Sequence, residues 1–73
     1  MNISVRHCRY LDNGARREYL MNNQSLLVEL PNLPGKSRYQ FYDAAGRRVF
    51  RNADRVAMRQ AADRHKVKWR LAK

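Results

Sequence analysis

The chain of 73 residues is the size of one small domain, and its 16 lysines and arginines against six acids give a net charge of +10 at pH 7. A domain this small folds on a thin margin, so a buried catalytic cleft would compete with its core, while the charge points to phosphate, an anionic membrane surface or an acidic protein face. No apolar run approaches the ~20 residues of a membrane span, the N-terminus lacks the basic-then-apolar pattern of a secretion signal, and the lone Cys8 forms no internal disulfide, which suits a reducing cytoplasm.

The charge is divided along the chain. Residues 1–35 hold four Lys and Arg against three acids, and residues 36–73 hold twelve against three, so a near-neutral half precedes a strongly basic one within a single domain. Residues 3–10 and 16–21 read as the arms of a first hairpin around Asp12-Asn13-Gly14, because Asn-Gly favours positive φ at both central turn positions. Residues 26–30 read as a short strand with Leu26, Val28 and Leu30 on one face. Two prolines and a glycine then make residues 31–37 a loop, which coincides with the charge boundary.

Residues 38–43 and 47–51 form a second predicted hairpin, in which Asp43-Ala44-Ala45-Gly46 suits a type I turn followed by a left-handed glycine. The two hairpins read almost as copies, YLDNGARREY at residues 10–19 and FYDAAGRRVF at residues 41–50. Turn chemistry accounts for the shared Asp and Gly; it does not ask for Arg-Arg twice. A helix is predicted over residues 53–65, capped by Asn52, with Ala53, Val56, Ala57, Met58, Ala61 and Ala62 on its apolar side. Arg55 and Arg59 fall on the far side with Asp63 four residues beyond Arg59, which reads as a solvated face with one weak ion pair. In residues 66–71, Val67, Trp69 and Leu71 alternate with Lys66, Lys68 and Arg70. That period of two predicts a terminal strand with Trp69 buried and a basic outer face. The expected fold class is therefore α+β: a small antiparallel sheet built from two hairpins, one helix and a C-terminal strand.

The chemistry expected of these residues is binding rather than catalysis. The acids occupy turns and the helix and do not pair as a general acid and base would. Cys8 with His7 or His65 is possible on paper as a nucleophile pair, but a lone strand cysteine reads as a small buried apolar residue. One Cys and two distant His cannot build a zinc site of family spacing, so neither metal nor cofactor is expected. Pro34-Gly35-Lys36-Ser37 mimics the end of a phosphate-binding loop, yet Leu30 stands where its first glycine is needed. Tyr42, Arg47, Arg48, Lys66, Lys68 and Arg70 are the candidate nucleic-acid-binding residues, since rings stack on bases while cations take phosphate. Phe50, beside them, reads either as part of that surface or as packed under the helix. In the neutral half, Ile3, Val5, Arg6, Arg9 and Tyr10 are the candidate face for a protein partner.

The 73-residue length, the basic arginine- and alanine-rich composition and the stand-alone character resemble the small RNA-polymerase-binding transcription regulators of lytic Xanthomonas phages. The resemblance implies a monomeric protein of the host bacterial cytoplasm that contacts the N-terminal region of the polymerase β′ subunit. It further implies displacement of the σ factor, shut-off of host promoters and antitermination. Taken alone, the residues fit equally a small basic DNA- or RNA-binding module that uses an arginine and aromatic hairpin face.

Overall fold

A computed structural model describes the backbone of residues 3–72 and the side chains of residues 3–35 and 37–66. The fold is α+β. Four strands, β1 (Val5–Leu11), β2 (Arg16–Met21), β3 (Leu26–Glu29) and β4 (Tyr39–Tyr42), pair antiparallel in the order β1-β2-β3-β4, and one helix, α1 (Asn52–Ala72), follows them. Every strand therefore pairs with its neighbour in the chain. Short connections favour that meander.

The first hairpin turns where Asn-Gly demands it. Asn13 (φ 56°, ψ 35°) and Gly14 (φ 89°) are both left-handed, and the Ala15 N–H donates to the Asp12 carbonyl at 3.1 Å. Asp12 is left-handed as well (φ 54°) while Ala15 is helical, so the ladder starts one pair later, at Leu11 with Arg16. At the far end Val5 pairs with Met21 but His7 pairs with Leu20, which leaves Arg6 as the extra residue of a β-bulge. The bulge resets the alternation of β1, so Val5 and Cys8, three residues apart, both pack against the core.

That core lies between one sheet face and the helix. Tyr19 and Met21 of β2 and Leu27 of β3 meet Met58, Ala61 and Ala62 of α1, all of them buried, with Ile3, Val5, Cys8, Tyr39 and Phe41 packed at the margin. The alanines let the helix backbone approach the sheet, and Tyr19 and Met21 fill the space. The apolar side predicted for the helix is thus narrower than drawn, because Val56 is largely exposed and Ala53 faces water. The Arg51 carbonyl receives the first helical bond, from the Arg55 N–H at 3.1 Å. Asn52 is therefore the first helical residue rather than the cap.

Two predicted elements differ. The turn of the second hairpin forms as expected: the Gly46 N–H donates to the Asp43 carbonyl at 3.0 Å, Gly46 is left-handed (φ 84°), and the Asp43 carboxylate accepts the N–H groups of Ala45 and Arg47. Its return strand shrinks to one bridge, Tyr42 with Arg48, and one further bond from Val49 N–H to the Phe41 carbonyl. Arg55 Nε donates to the Val49 carbonyl at 2.8 Å, and the chain enters the helix at Asn52, three residues later. The second correction is the terminal strand, which does not exist as such: α1 continues unbroken to Ala72. Residues 66–72 contain no Gly or Pro to stop a helix. Extending an existing helix adds one hydrogen bond for each residue fixed, and that outweighs an alternation only six residues long. Residues two apart do not share a helical face, so the basic strand face predicted from Lys66, Lys68 and Arg70 is lost. The side chains of Lys68, Trp69 and Arg70 lie outside the described residues.

Candidate functional site

Three of the four arginines of the first hairpin lie against carboxylates. Arg9 and Arg16 both reach Glu18, at 2.6 and 2.9 Å, across the β1–β2 pair and along β2. These contacts hold the Glu18 carboxyl below its ordinary value: the Arg9 hydrogen bond leads, and burial pulls the other way. On the helix side of the sheet, Glu29 is only 5% exposed and accepts the Tyr19 hydroxyl at 3.0 Å and Lys66 Nζ at 2.9 Å, with an Arg17 guanidinium nitrogen at 4.0 Å. Burial pushes this carboxyl up, but Lys66, Tyr19 and Arg17 together outweigh it and leave Glu29 below its ordinary value. Tyr19 is displaced upward by its burial and by the adjacent carboxylate. The Tyr19 ring meets His65 edge-on at 6.3 Å, and among the described residues the buried Arg17 Nε and His65 Nε2 have no hydrogen-bond partner.

Beyond β4 the arginines are held differently. Arg38, Arg48, Arg55 and Arg59 line one cleft of about 790 Å³ together with Gly35 and the rings of Tyr39 and Phe41. β4 presents Tyr39 and Phe41, two residues apart, to the helix side, and α1 presents Arg55 and Arg59 one turn apart to meet them. The Arg59 guanidinium lies 3.9 Å from the Tyr39 ring centroid, and the Arg55 guanidinium lies 5.6 Å from Phe41 and 5.5 Å from Phe50. Arg48 lies 5.6 Å from the Tyr42 ring, and Arg38 Nε donates to the Leu33 carbonyl at 3.2 Å. Among the described residues, none of the four has a carboxylate oxygen within 4 Å, and every ion pair lies elsewhere. Each exposed cation–π contact is worth roughly 0.5–1 kcal/mol, enough to orient a guanidinium but not to neutralise it. Four uncancelled cations around one hollow focus a positive potential there.

The predicted site residues are distributed across the molecule. Arg48 lines the cleft and Tyr42 supports it. Arg47 is exposed but its Nε lies 3.5 Å from the Asp43 carboxylate. Lys66 is turned inward onto Glu29, not outward. Of the proposed partner face, Ile3 and Val5 are packed against the core, whereas Arg6 stands exposed on the bulge, Arg9 is tied to Glu18, and Tyr10 is 56% exposed with Arg17 5.6 Å from its ring. Phe50 does not pack under the helix; it is 74% exposed. Sequence reasoning counted Arg38 among a general collar of cations and missed Arg55 and Arg59. The expected Arg59–Asp63 pair does not form, since the Tyr39 ring holds Arg59 instead. The available signal was the spacing of Arg55 and Arg59, one helical turn apart, following a strand that alternates Tyr39 and Phe41.

A second hollow, of about 330 Å³, lies on the sheet face away from the helix. His7, Arg9, Glu18, Leu20 and Leu26 line it, brought together by the cross-strand pairs His7–Leu20, Arg9–Glu18 and Leu20–Leu26. Cys8 is half-buried, and burial pushes its thiol up, away from the reactive thiolate. Among the described residues no three His, Cys, Asp or Glu side chains gather as metal ligands would, and no helix is long and apolar enough to cross a membrane. No protein-family model matches the chain, and no curated protein or solved structure matches it either.

Proposed function

We propose that this protein is a small non-catalytic transcription regulator that acts in the bacterial cytoplasm by binding the host RNA polymerase at the N-terminal region of its β′ subunit. Binding there displaces the σ factor from promoter-specific initiation and supports antitermination, as the resemblance of the chain to the phage regulators implies. The observation that carries the reading is the presence of two separate working surfaces on so small a fold. The sheet face away from the helix offers Leu20 and Leu26 rimmed by His7 and the Arg9–Glu18 pair, a mixed apolar and charged surface suited to a protein. The arginine cleft, on the other side, offers charge that the fold itself does not neutralise.

The cleft favours a second reading, a nucleic-acid-binding module, because stacked arginines without acid partners match phosphate better than they match a core. A pull-down with purified bacterial polymerase separates the two. A polymerase regulator stays in a stoichiometric complex after nuclease treatment and lowers promoter-specific transcription at concentrations that leave free DNA uncoated. Substituting Arg9 and Leu20 weakens that complex and spares DNA binding. Loss of the polymerase as soon as DNA is digested, together with sensitivity only to cleft substitutions, would leave the nucleic-acid reading alone.

A further inference from the structure

Phe50 is a large ring left 74% exposed beside Arg55 of the cationic cleft, although the chain has a core that needs apolar residues. It is nonetheless fixed in place. The Arg55 guanidinium sits 5.5 Å from its centroid and 5.6 Å from that of Phe41, so one side chain braces both rings, and Arg55 Nε anchors that brace on the Val49 carbonyl at 2.8 Å. Phe50 is thus held from one side and open on the rest. Arg59 is set in a similar way, its guanidinium resting on Tyr39 at 3.9 Å while the residue is otherwise exposed.

A rigid exposed ring beside uncancelled guanidinium groups has a specific complement. Duplex DNA presents phosphates and base edges, and its base faces are hidden in its own stack. A single strand presents phosphates and free base faces together, and such strands are bound by cationic grooves with aromatic or guanidinium planes on which bases stack. We propose that the cleft is a single-stranded nucleic-acid site in which Phe50 and the Arg59 guanidinium are stacking platforms for bases, while Arg38 and Arg48 take the phosphates. This rests on the nucleic-acid reading of the cleft and adds the form of the ligand. RNA and DNA strands share the required chemistry.

The test uses the full chain and fluorescence anisotropy with 12-nucleotide oligo(U) RNA, 12-nucleotide oligo(dT) and a 12-base-pair duplex over a salt series. Both single strands bind more tightly than the duplex. Phe50→Ala weakens single-strand binding roughly 5- to 150-fold, the range expected for removing one base stack, leaves the salt slope and duplex binding unchanged, and is rescued by Phe50→Trp. Arg48→Ala instead makes the single-strand slope shallower by about 0.7 for each phosphate it no longer neutralises. A circular-dichroism melt of each variant checks that the fold is intact, which the exposure of Phe50 leads one to expect. If the duplex binds as tightly as the strands and Phe50→Ala has no effect, the cleft binds nucleic acid but the single-strand assignment is wrong. If none of the three probes binds at low salt, the nucleic-acid reading falls with it.

Discussion

Arg9, Arg16 and Arg17 of the first hairpin and Arg48, Arg55 and Arg59 beyond β4 carry the same guanidinium group, and the fold treats them in opposite ways. Glu18 and Glu29 hold the first set, so part of its charge is offset within a few ångströms. Tyr39, Phe41, Tyr42 and Phe50 hold the second set by their ring faces, with no carboxylate within 4 Å among the described residues. A carboxylate orients an arginine and consumes its charge, whereas an aromatic ring orients it and leaves the charge available to a ligand. The imbalance between the two halves of the sequence is thus the arithmetic trace of two kinds of support. In one region arginine builds the fold; in the other it is presented by it.

The contrast breaks first if Glu29 proves dispensable. Glu29→Ala leaves Lys66, Arg17 and the Tyr19 hydroxyl without their common partner in a buried setting, and chemical denaturation is expected to show a loss of about 3 kcal/mol, the lower end for breaking a buried pair because Lys66 and Arg17 can still reach water. A loss under about 1 kcal/mol would make the cluster no more than a surface pair. Acid sharpens the same point. Glu29 and Glu18 are both held below their ordinary value of 4.5. The unfolded chain therefore takes up protons first as pH falls. Stability from these groups is fully present above 4.5 and is lost as pH drops from there through their lower folded values. Glu29→Gln should flatten that decline in denaturant midpoint against pH.

Cleft substitutions should behave in the reverse manner. Arg48→Ala and Arg59→Ala each change stability by at most about 1 kcal/mol, the worth of an exposed cation–π contact, yet together they should make the salt dependence of nucleic-acid binding visibly shallower. A large loss of stability with unaltered binding would turn these arginines into structural ones. The smallest effect is expected at Arg9→Ala. Its pair with Glu18 is exposed on the arginine side and Arg16 remains to hold the carboxylate, so thermal denaturation should register between 0 and about 1 kcal/mol.

The strands of the first hairpin and the third strand were legible because local signals were strong there: Asn-Gly at the turn, and a short apolar run at residues 26–30 ended by a loop with two prolines and a glycine. The Gly46 turn was legible for the same reason. The terminal strand was misread because Val67, Trp69 and Leu71 alternate over too short a span to reveal whether a neighbouring strand exists to receive them. Propensity within six residues cannot report on a helix that begins fourteen residues earlier. The cleft was half legible. Arg48 and Tyr42 lie in the hairpin that suggested them, whereas Arg55 and Arg59 looked like a solvated face, since only the packing of α1 across β4 brings them over Tyr39 and Phe41. The bulge at Arg6 left no signal, and without it the alternation of β1 places Cys8 and Val5 on opposite faces.

The meander order of the sheet has a consequence for the chain during synthesis. Each strand of β1-β2-β3-β4 can add to the one before as it emerges, without waiting for a distant partner. The helix that covers the sheet follows all four strands in the chain. Until Met58, Ala61 and Ala62 leave the ribosome, Tyr19, Met21 and Leu27 face water on a sheet that is complete in its hydrogen bonds and bare on one side. The nascent form is thus exposed to sticking for the time taken to translate about twenty residues, on the order of one to a few seconds. The contact of Arg64, which donates to the Ile3 carbonyl at 2.8 Å, joins the first described residue to the helix and can form only after the whole sheet has been made.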